Sequence, residues 1–429
     1  MTDVIRERIN QIQSGSIPNG YKKTRVAIIP EEWREIHLKD MFMHLRRKNS
    51  EGNTNVLTIS ARHGLISQDD FFNKNIASED TSTYFLLQRG DFAYNKSYSA
   101  GYPFGAIKSL VAYDSGIVSP LYICFSATQA NECPCFFAHY FEAGLMNREI
   151  QAFAQEGARN HGLLNIAVDD FFNSIIFVPP IEEQKKITDI LNAQDELVSA
   201  KERLLSEKLQ RKKYLTQLLL SGQKRLSNFS EKWSECALGE ITKKSRAKNT
   251  DFQIRLVFSN SAQNGVVPQE EQFDKEIAHA ERIDGYYIIK PGEFVYNPRI
   301  SVTAPCGPIN RNNTGEKGVM SPLHTVFTIN SSQIDSDFLS YYFKSTCWYR
   351  YMKSVANCGA RHDRMNISDD DFFAMPIPLP SITEQRAIAS VLSAVDDEIV
   401  AFEKDLQQEK VKRRALMQLL LTGIVRTTV

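Results

Sequence analysis

Two halves of the sequence repeat each other at an offset of about 200 residues, and this repeat constrains the fold more than any local motif does. Residues 181–225 and 382–426 align without a gap, and 17 of the 45 aligned positions are identical. Shorter matches, shifted by one or two residues, extend the repeat along the chain: Trp33 and Leu38 with Trp233 and Leu238, Phe92, Tyr94, Asn95 and Gly105 with Phe294, Tyr296, Asn297 and Gly307, Ser119-Pro120-Leu121 with Ser321-Pro322-Leu323, Gly157-Ala158-Arg159 with Gly359-Ala360-Arg361, and Asp169-Asp170-Phe171-Phe172 with Asp370-Asp371-Phe372-Phe373. The chain therefore contains two copies of one structural plan.

Each copy consists of a globular part followed by a long helix. The globular part, roughly 150 residues long, carries short β-branched and aromatic runs such as residues 55–60 and 286–289, separated by Gly, Pro and Asn. The second part opens at Pro180 or Pro380 and then runs without Pro or Gly to Gly222 or Gly423, which is typical of a helix and its ends.

We therefore expect an α+β protein with two mixed α/β domains in tandem, each followed by a long helix, and an internal pseudo-two-fold repeat. The predicted segments are an N-terminal segment 1–30, a first globular domain 31–180, a central helical spacer 181–225, a second globular domain 226–380 and a C-terminal helical spacer 381–429.

The apolar residues of the two long helices recur at a spacing that favours a coiled coil. The C-terminal helix carries one seam: Ile388, Leu392, Val395, Ile399, Phe402 and Leu406. The central helix carries two series spaced by seven residues. One is Ile190, Leu197 and Leu204, and the other is Leu191, Val198 and Leu205. We place the first series in the helix interface. We expect the helices to pair antiparallel as a spacer of about 54 Å. In the alternative, each helix packs only on its own domain.

Composition excludes several classes of protein. The 51 basic residues balance 51 acidic ones, so the chain is neither a disordered polyelectrolyte nor a bulk DNA binder, and any nucleic-acid contact must be local. No apolar run approaches a membrane span and the N-terminus is too polar for a secretory signal, so we expect a cytoplasmic protein. The seven cysteines include no CxxC spacing and are interpreted as free thiols rather than metal ligands.

The sequence contains no recognisable catalytic or metal-binding motif. A phosphate-binding loop, a dinucleotide-binding glycine motif and a paired-histidine metal motif are all absent from it. Asn297-Pro298 resembles the start of an amino-methyltransferase loop, but Arg299 stands where a second proline is needed. The repeated Asp-Asp-Phe-Phe motif is better explained as a domain-to-helix junction than as a carboxylate pair. We therefore expect a protein that is not an enzyme.

The order of globular domain, long helix, globular domain and long helix resembles the specificity subunits of Type I restriction-modification systems. Three features carry the resemblance: Gly20-Tyr21-Lys22-Lys23-Thr24 with Ile29-Pro30 and Trp33, the helix entries Pro-Pro-Ile-Glu-Glu-Gln184 and Pro-Ser-Ile-Thr-Glu-Gln385, and the helix ends Leu-Leu-Leu-Ser-Gly222 and Leu-Leu-Leu-Thr-Gly423. The resemblance covers nearly the whole chain, and the doubled arrangement is more specific than any single motif.

This resemblance implies a DNA-recognition subunit without a cofactor of its own. Each globular domain would be a target-recognition domain that reads one half of a bipartite site in double-stranded DNA. The helices would set the distance between half-sites and hold two modification (methyltransferase) subunits, and restriction (ATP-dependent translocase and nuclease) subunits would join the complex. S-adenosylmethionine, ATP and Mg²⁺ are then expected on the partner subunits. Because the two copies differ in sequence, we expect an asymmetric site.

Candidate DNA-reading residues lie where the two copies share a frame but differ within it. Three loops qualify: the first follows Ser60 or Ser259, the second follows Asn95 or Asn297, and the third follows Arg159 or Arg361. Their side chains suit base edges, since Arg prefers guanine and Asn or Gln prefers adenine. The base-reading candidates are Arg62, His63, Lys96, Tyr98, Asn160 and His161 in the first copy and Asn260, Gln263, Asn264, Arg299, His362 and Arg364 in the second. The shared Arg159 and Arg361 are assigned to phosphate contacts. The basic runs at residues 211–213 and 412–414 are interpreted as a solvated or partner-binding helix face rather than a DNA-binding one.

Three other functions stay open at this point. The chain could serve a fused methyltransferase-nuclease, join proteins as a coiled-coil adaptor, or act alone as a two-domain enzyme. The missing motifs argue against the last of these.

Overall fold

The protein was analysed as a computed structural model, which describes residues 3–60, 64–71, 80–99, 101–128, 133–156, 162, 164–250, 253–272, 283–356 and 363–427. The chain divides into two compact units. Unit 1 comprises Met1–Lys201 and Asp405–Val429, and unit 2 comprises Glu202–Lys404. Each unit therefore contains one globular part and a segment of each long helix.

Unit 1 begins with a short helix and a hairpin and then forms a sheet flanked by helices. Its helices are α1 (Asp3–Gln13), α2 (Gln68–Phe71), α3 (Pro134–Glu142), α4 (Asn147–Phe153) and α5 (Val168–Phe172). Its strands are β1 (Tyr21–Lys23), β2 (Ile28–Pro30), β3 (Arg34–His37), β4 (Phe42–His44), β5 (Leu57–Ser60), β6 (Gly64–Ser67), β7 (Phe85–Gln88), β8 (Phe92–Asn95), β9 (Ala106–Ser109), β10 (Ser115–Val118), β11 (Ile123–Ala127), β12 (Gln155–Glu156), β13 (Leu164–Asn165) and β14 (Ile175–Val178).

The long helix α6 (Ile181–Leu220) then leads into the second globular part. The helices of unit 2 are α7 (Leu238–Ile241), α8 (Gln269–Gln272), α9 (Ser336–Lys344), α10 (Tyr349–Val355) and α11 (Asp369–Phe373), followed by the long helix α12 (Ile382–Leu421). Its strands are β15 (Ser234–Ala237), β16 (Thr242–Lys244), β17 (Phe258–Ser261), β18 (Gly265–Pro268), β19 (Tyr287–Ile289), β20 (Phe294–Tyr296), β21 (Ile309–Arg311), β22 (Gly318–Met320), β23 (Thr325–Ile329) and β24 (Pro376–Leu379).

The sheets of the two units have the same topology. Unit 1 contains a four-stranded antiparallel sheet in the order β4-β11-β8-β9, and unit 2 contains one in the order β16-β23-β20-β21. Three two-stranded pairings also correspond: β5-β6 with β17-β18, β7-β10 with β19-β22, and β3-β14 with β15-β24. The expected α+β fold, with two mixed domains each followed by a long helix, is confirmed.

Stacked phenylalanines on the central strands form the core of each globular part. In unit 1 the rings of Phe92 and Phe125 stack with centroids 5.3 Å apart, and in unit 2 those of Phe294 and Phe327 stack at 5.5 Å. Both pairs are buried. Because paired aromatic rings on neighbouring strands stabilise a sheet through burial and ring contact, the same core geometry explains why these positions recur in the sequence.

The start of each long helix is tied to its unit by a buried glutamate that accepts hydrogen bonds from a tryptophan and an arginine. We call this arrangement the clasp, and its members are Trp33, Glu183 and Arg426 in unit 1 and Trp233, Glu384 and Arg225 in unit 2. The indole Nε1 lies 3.0 Å from the carboxylate in unit 1 and 2.9 Å in unit 2, and the arginine Nε lies 2.7 Å away in both. The clasp accounts for the glutamate of the repeated Glu-Gln motif.

The glutamine of the same motif anchors the helix entry to the globular part. Gln184 donates to the carbonyl of Pro179 and accepts from the backbone N–H of Cys133. Gln385 donates to the carbonyl of Pro380 and accepts from Asp335 N–H at 2.7 Å. Both amides are buried, so their hydrogen bonds fix the helix where it meets the domain core.

Within each unit, the segments of α6 and α12 run antiparallel, as expected. In unit 1, Gln194 donates to Glu409 (2.8 Å) and Lys201 to Asp405 (2.6 Å). In unit 2, Lys208 lies 2.5 Å from Glu398. Partner numbers fall along α12 as they rise along α6 within unit 1, which defines the antiparallel direction. Each helix also packs on a globular core, since Ile187 and Leu191 join the core of unit 1 and Ile388 and Leu392 that of unit 2.

The side chains predicted for the seam of α12 are buried or half-buried: Ile388, Leu392, Val395, Ile399, Phe402 and Leu406. On α6, however, the prediction chose the wrong series. Ile190, Leu197 and Leu204 are 41%, 38% and 43% exposed, whereas Leu191 and Val198 are 0% and 8% exposed. The buried stripe of α6 is displaced by one residue from the predicted one, which is a rotation of about 100° around the helix axis. Gln194 and Lys201 lie on this buried stripe and supply polar partners for α12.

Candidate nucleic-acid interface

The loop that follows β8 in unit 1 has the same backbone frame as the loop that follows β20 in unit 2. Asn95 Oδ1 accepts the backbone N–H of Ser97 at 3.0 Å, and Asn297 Oδ1 accepts that of Arg299 at 3.0 Å. Such asparagine turns fix the direction in which the chain leaves a strand. The shared asparagine therefore builds the turn, while the residues after it differ between the copies.

A glycine packs directly under each of these turns. Gly105 and Gly307 have φ of +79° and +77°, and a Cβ at either position would lie 2.2 or 2.1 Å from the carbonyl oxygen of Asn95 or Asn297. A side chain is thus excluded both by backbone conformation and by space. This close approach explains why glycine recurs at this position.

In both units the second predicted loop is hydrogen-bonded to described residues at or just after the third predicted loop. In unit 1, Tyr98 N–H donates to the Gly162 carbonyl (2.8 Å) and Leu164 N–H donates to the Lys96 carbonyl (3.0 Å). In unit 2, Ile300 N–H donates to the carbonyl of Asp363 (3.0 Å) in the same way. Segments about 65 residues apart in the sequence are therefore joined by backbone hydrogen bonds at the same place in each unit.

In unit 2 the first predicted loop joins the other two. This loop is the tip of the β17-β18 hairpin, and Asn297 Nδ2 donates to the carbonyl of Asn260 at 3.2 Å. Gln263 and Asn264 lie at the exposed tip. All three predicted places of unit 2 thus meet at the end of β20.

The assignment of Asn260 as a base-reading residue is wrong. Its side chain is only 5% exposed, donates to the carbonyls of Val295 (2.9 Å) and Pro308 (3.1 Å), and accepts from Asn310 (2.7 Å). An amide whose hydrogen bonds are all made inside the domain stabilises the hairpin and is not available to a base edge.

The remaining described candidates differ in how far they reach into solvent. Tyr98 is 64% exposed and Arg299 is exposed, whereas Lys96 is half-buried. The Arg364 side chain is 21% exposed and lies 3.6 Å from Asp363, and its Nε has no hydrogen-bond partner among the described residues. The other candidates lie outside the described residues: Arg62, His63, Arg159, Asn160, His161, Arg361 and His362.

Sequence reasoning missed His324, which lies near Arg299. Its Nδ1 is 3.2 Å from the carbonyl of Ser321 and so carries the proton, while its Nε2 is buried with no partner among the described residues. Burial, assisted by the charge of Arg299, lowers the pKa of His324 to about 4 despite the hydrogen bond to Ser321, so the ring is neutral at pH 7. The signal was present, because Tyr122 follows Ser-Pro-Leu in the first copy where His324 follows it in the second.

In each basic run the central member pairs with an acidic residue of the other long helix, while Lys412 also lies 3.6 Å from Glu409 on its own helix. Lys212 pairs with Asp396, and Arg413 with Asp195. The flanking members are exposed: Arg211, Lys213, Lys412 and Arg414. The central cations therefore join the helices within their unit.

The repeated Asp-Asp-Phe-Phe motif forms α5 and α11, and its first phenylalanine, Phe171 or Phe372, stacks on Tyr94 or Tyr296 with ring centroids 5.0 and 4.9 Å apart. Across the described ranges, no three His, Cys, Asp or Glu side chains are grouped so as to hold a metal ion. Nor does any helix in the described part of the chain combine the length and apolarity needed to span a membrane.

Comparisons with known proteins agree with this geometry. Residues 230–413 match the family described as Type I restriction modification DNA specificity domain. Over 445 aligned residues, the chain is 23% identical to a protein of Methanocaldococcus jannaschii described as the MjaX specificity subunit of a type I restriction enzyme, covering 95% of this chain and 96% of that protein.

Two solved structures share the fold over almost the whole chain. One comes from work on complex assembly and conformational transition of the type I R-M system, with a TM-score of 0.60, 17% identity and coverage of 92% of this chain and 99% of that one. The other is the HsdS subunit from Thermoanaerobacter tengcongensis, with a TM-score of 0.53, 18% identity and coverage of 92% and 98%. Residues 230–413 therefore carry a Type I restriction modification DNA specificity domain, and the chain is similar over nearly its whole length to specificity subunits of type I restriction enzymes, which are non-catalytic and carry no cofactor.

Proposed function

We propose that the globular part of each unit reads one half of a bipartite, asymmetric DNA site. One observation supports this proposal: the loops after β8 and β20 share an asparagine turn and a loop pairing but carry different side chains. Lys96 and Tyr98 occupy this place in unit 1, and Arg299 occupies it in unit 2. Different donors on one frame suit different base edges in the major groove.

We further propose that the long helices set the spacing between the half-sites and dock two modification subunits, with restriction subunits joining the complex in the cytoplasm. Exposed apolar side chains on α6 support a docking role, because large apolar groups on a helix exposed to water favour a protein partner. They are Ile190, Leu197, Leu204, Leu209 and Tyr214.

Base-resolved methylation mapping of DNA from cells that express this chain with its modification subunit tests the first proposal. We expect a split, asymmetric motif with a fixed unread gap that disappears when this chain is deleted. Replacing residues 31–178 with those of another family member should change one half-site only. A change in both half-sites would contradict the assignment of one domain to each.

Deleting seven residues from both long helices tests the spacer role. A heptad preserves the buried stripe of each helix, so the two half-sites should stay the same while the unread gap becomes shorter. An unchanged gap would show that the helices do not set the spacing. A matched deletion from one helix alone should abolish methylation, because it shifts one buried stripe against the other.

A further inference from the structure

Exposed cations recur at the same two positions of each unit, just after the first strand of the four-stranded sheet. They are Arg46 and Lys48 after β4 and Arg246 and Lys248 after β16, and all four are exposed. We call each pair the cationic edge of its unit. The offset of 200 matches that of Trp33 and Trp233, so the positions are equivalent.

The cationic edge and the candidate reading loop follow parallel strands of one sheet. In unit 1, Phe125 of β11 pairs with His44 of β4 on one side and with Phe92 of β8 on the other. Both neighbours are antiparallel to β11, so β4 and β8 run parallel to each other, and the last residue of β4 is level with the first residue of β8. The chain after β4 contains the cationic edge, and the chain after β8 contains Lys96 and Tyr98.

Unit 2 has the same register. Phe327 of β23 pairs with Lys244 of β16 and with Phe294 of β20, again antiparallel to both. Arg246 therefore follows β16 in the same direction as the reading loop with Arg299 follows β20. Both copies thus carry a pair of exposed cations and a loop of variable sequence on parallel strands of one sheet.

The two cationic edges have the same backbone hydrogen bond. They differ in the residue that stands between the two cations. Asn49 N–H donates to the Tyr84 carbonyl (3.0 Å), and Asn249 N–H to the Tyr286 carbonyl (2.9 Å). Between the cations, unit 1 has Arg47, which pairs with Asp91 at 2.6 Å, whereas unit 2 has an alanine. The outward positive charge is shared although the packing beneath it differs.

Among the described residues, no carboxylate compensates this charge. Lys48 donates to the Thr83 carbonyl (2.9 Å) and lies over the Phe85 ring, and Lys248 lies 5.9 Å from the ring centroid of Tyr287. Arg46 Nε lies 3.2 Å from His44 Nδ1. Within the described ranges, none of the four cations forms an ion pair with a carboxylate. In a chain of zero net charge, such pairs are local sites of positive potential.

We propose that the cationic edge of each unit binds DNA phosphates and sets the position of that unit on its half-site. This inference rests on the proposed function of the globular parts. Phosphate contacts from Arg and Lys fix register and supply salt-dependent affinity, whereas base contacts supply the sequence. The cationic edge therefore contributes affinity and the reading loop contributes specificity.

The test uses the full chain in complex with its modification subunits and a duplex that carries the mapped motif. Fluorescence anisotropy at several salt concentrations gives the slope of log K against log salt. The double variant R246Q/K248Q should reduce that slope by roughly 2, since each phosphate contact contributes about 0.9, and should weaken binding at low salt by roughly tenfold or more. The methylated motif should not change, and R46Q/K48Q should behave alike.

The matched control is K224Q/K232Q, which removes two exposed lysines from unit 2. These residues lie between the end of α6 and the start of β15, outside the four-stranded sheet. The control should leave the salt slope unchanged. Exchanging the charges conservatively, as R246K/K248R, should retain the wild-type slope and shows that charge rather than packing is responsible.

Three results would overturn the proposal: an unchanged slope for R246Q/K248Q, an equal loss for K224Q/K232Q, or a lowered unfolding midpoint together with weak binding by R246K/K248R. The last result would assign the residues a packing role through the aromatic rings. Failure of the proposed function looks different, because the wild-type complex would then show neither sequence-selective binding nor a motif that depends on this chain.

Discussion

The two units share the clasp but differ in the loops at the end of β8 and β20. Both clasps join a buried glutamate to a tryptophan and an arginine with nearly the same distances. The loops hold Lys96 and Tyr98 in one unit and Arg299 in the other. Shared chemistry therefore marks the residues that hold the fold, and differing chemistry on a shared frame marks candidates for recognition.

The clasps give the largest expected effect. Glu384→Ala removes a carboxylate that is 2% exposed and leaves Arg225 and the Trp233 indole without their partner. Breaking a buried ion pair from one side typically costs about 3–5 kcal/mol, and we expect a loss of this size in the free energy of unfolding. Glu183→Ala should cost the same in unit 1. Urea unfolding measures the loss, and hydrogen exchange with mass spectrometry assigns it to a unit.

Glu182→Ala is the matched control, because Glu182 lies next to Glu183 but is 65% exposed, and its one ion pair among the described residues is with Lys185 at 3.1 Å. Its effect should stay within about 0.5 kcal/mol. A small effect of Glu183→Ala beside a large one of Glu384→Ala would show that the two clasps are not equivalent.

The glycine under the reading loop gives the next effect. Gly307→Ala forces a side chain into a backbone with φ of +77° and against the carbonyl of Asn297. We expect a loss of about 2–4 kcal/mol from the left-handed conformation and the overlap together, and Gly105→Ala should match it. The control is Gly315→Ala, where φ is +80° but no atom lies within 4 Å of the added Cβ. If urea unfolding gave the same loss of free energy for Gly307→Ala and Gly315→Ala, the close approach to the Asn297 carbonyl would not contribute to the cost.

The sequence predicted the shared frame better than the side-chain environments. The repeat located both long helices, and the differing residues located loops that the structure joins by backbone hydrogen bonds. It could not show that Asn260 is buried, because an asparagine suits a turn, a core hydrogen-bond network and a base edge equally well. It also could not choose between Ile190 and Leu191, since both belong to series spaced by seven and only packing against α12 decides which is buried.

His324 gives an effect that should be confined to unit 2, since Tyr122 takes its place in unit 1. The folded pKa of about 4 lies below the ordinary value of 6.5, so the unfolded chain binds a proton that the folded chain does not bind between these values. Stability from the neutral ring is complete above pH 6.5 and is lost as the pH falls toward 4. At pH 4.5 the loss should be about 2–3 kcal/mol.

His324→Gln should remove this part of the acid sensitivity. The difference in unfolding free energy between pH 7 and pH 4.5 should be about 2–3 kcal/mol smaller in the variant than in the wild type. Hydrogen exchange should locate the change in unit 2. If the variant and the wild type respond equally to acid, the ring is not buried as a neutral group in solution.

The smallest effect separates the two faces of α6 within unit 1. Leu197→Ala truncates a side chain that is 38% exposed, so the free energy of unfolding should change by no more than about 0.5 kcal/mol. Leu191→Ala, on the buried stripe, should cost about 2–5 kcal/mol. If the exposed face binds a modification subunit, Leu197→Ala should weaken co-purification with that subunit although stability is unchanged. A large loss of stability in Leu197→Ala would show that Leu197 lies in the helix interface. Unchanged co-purification would show that the modification subunit does not dock on this face of α6.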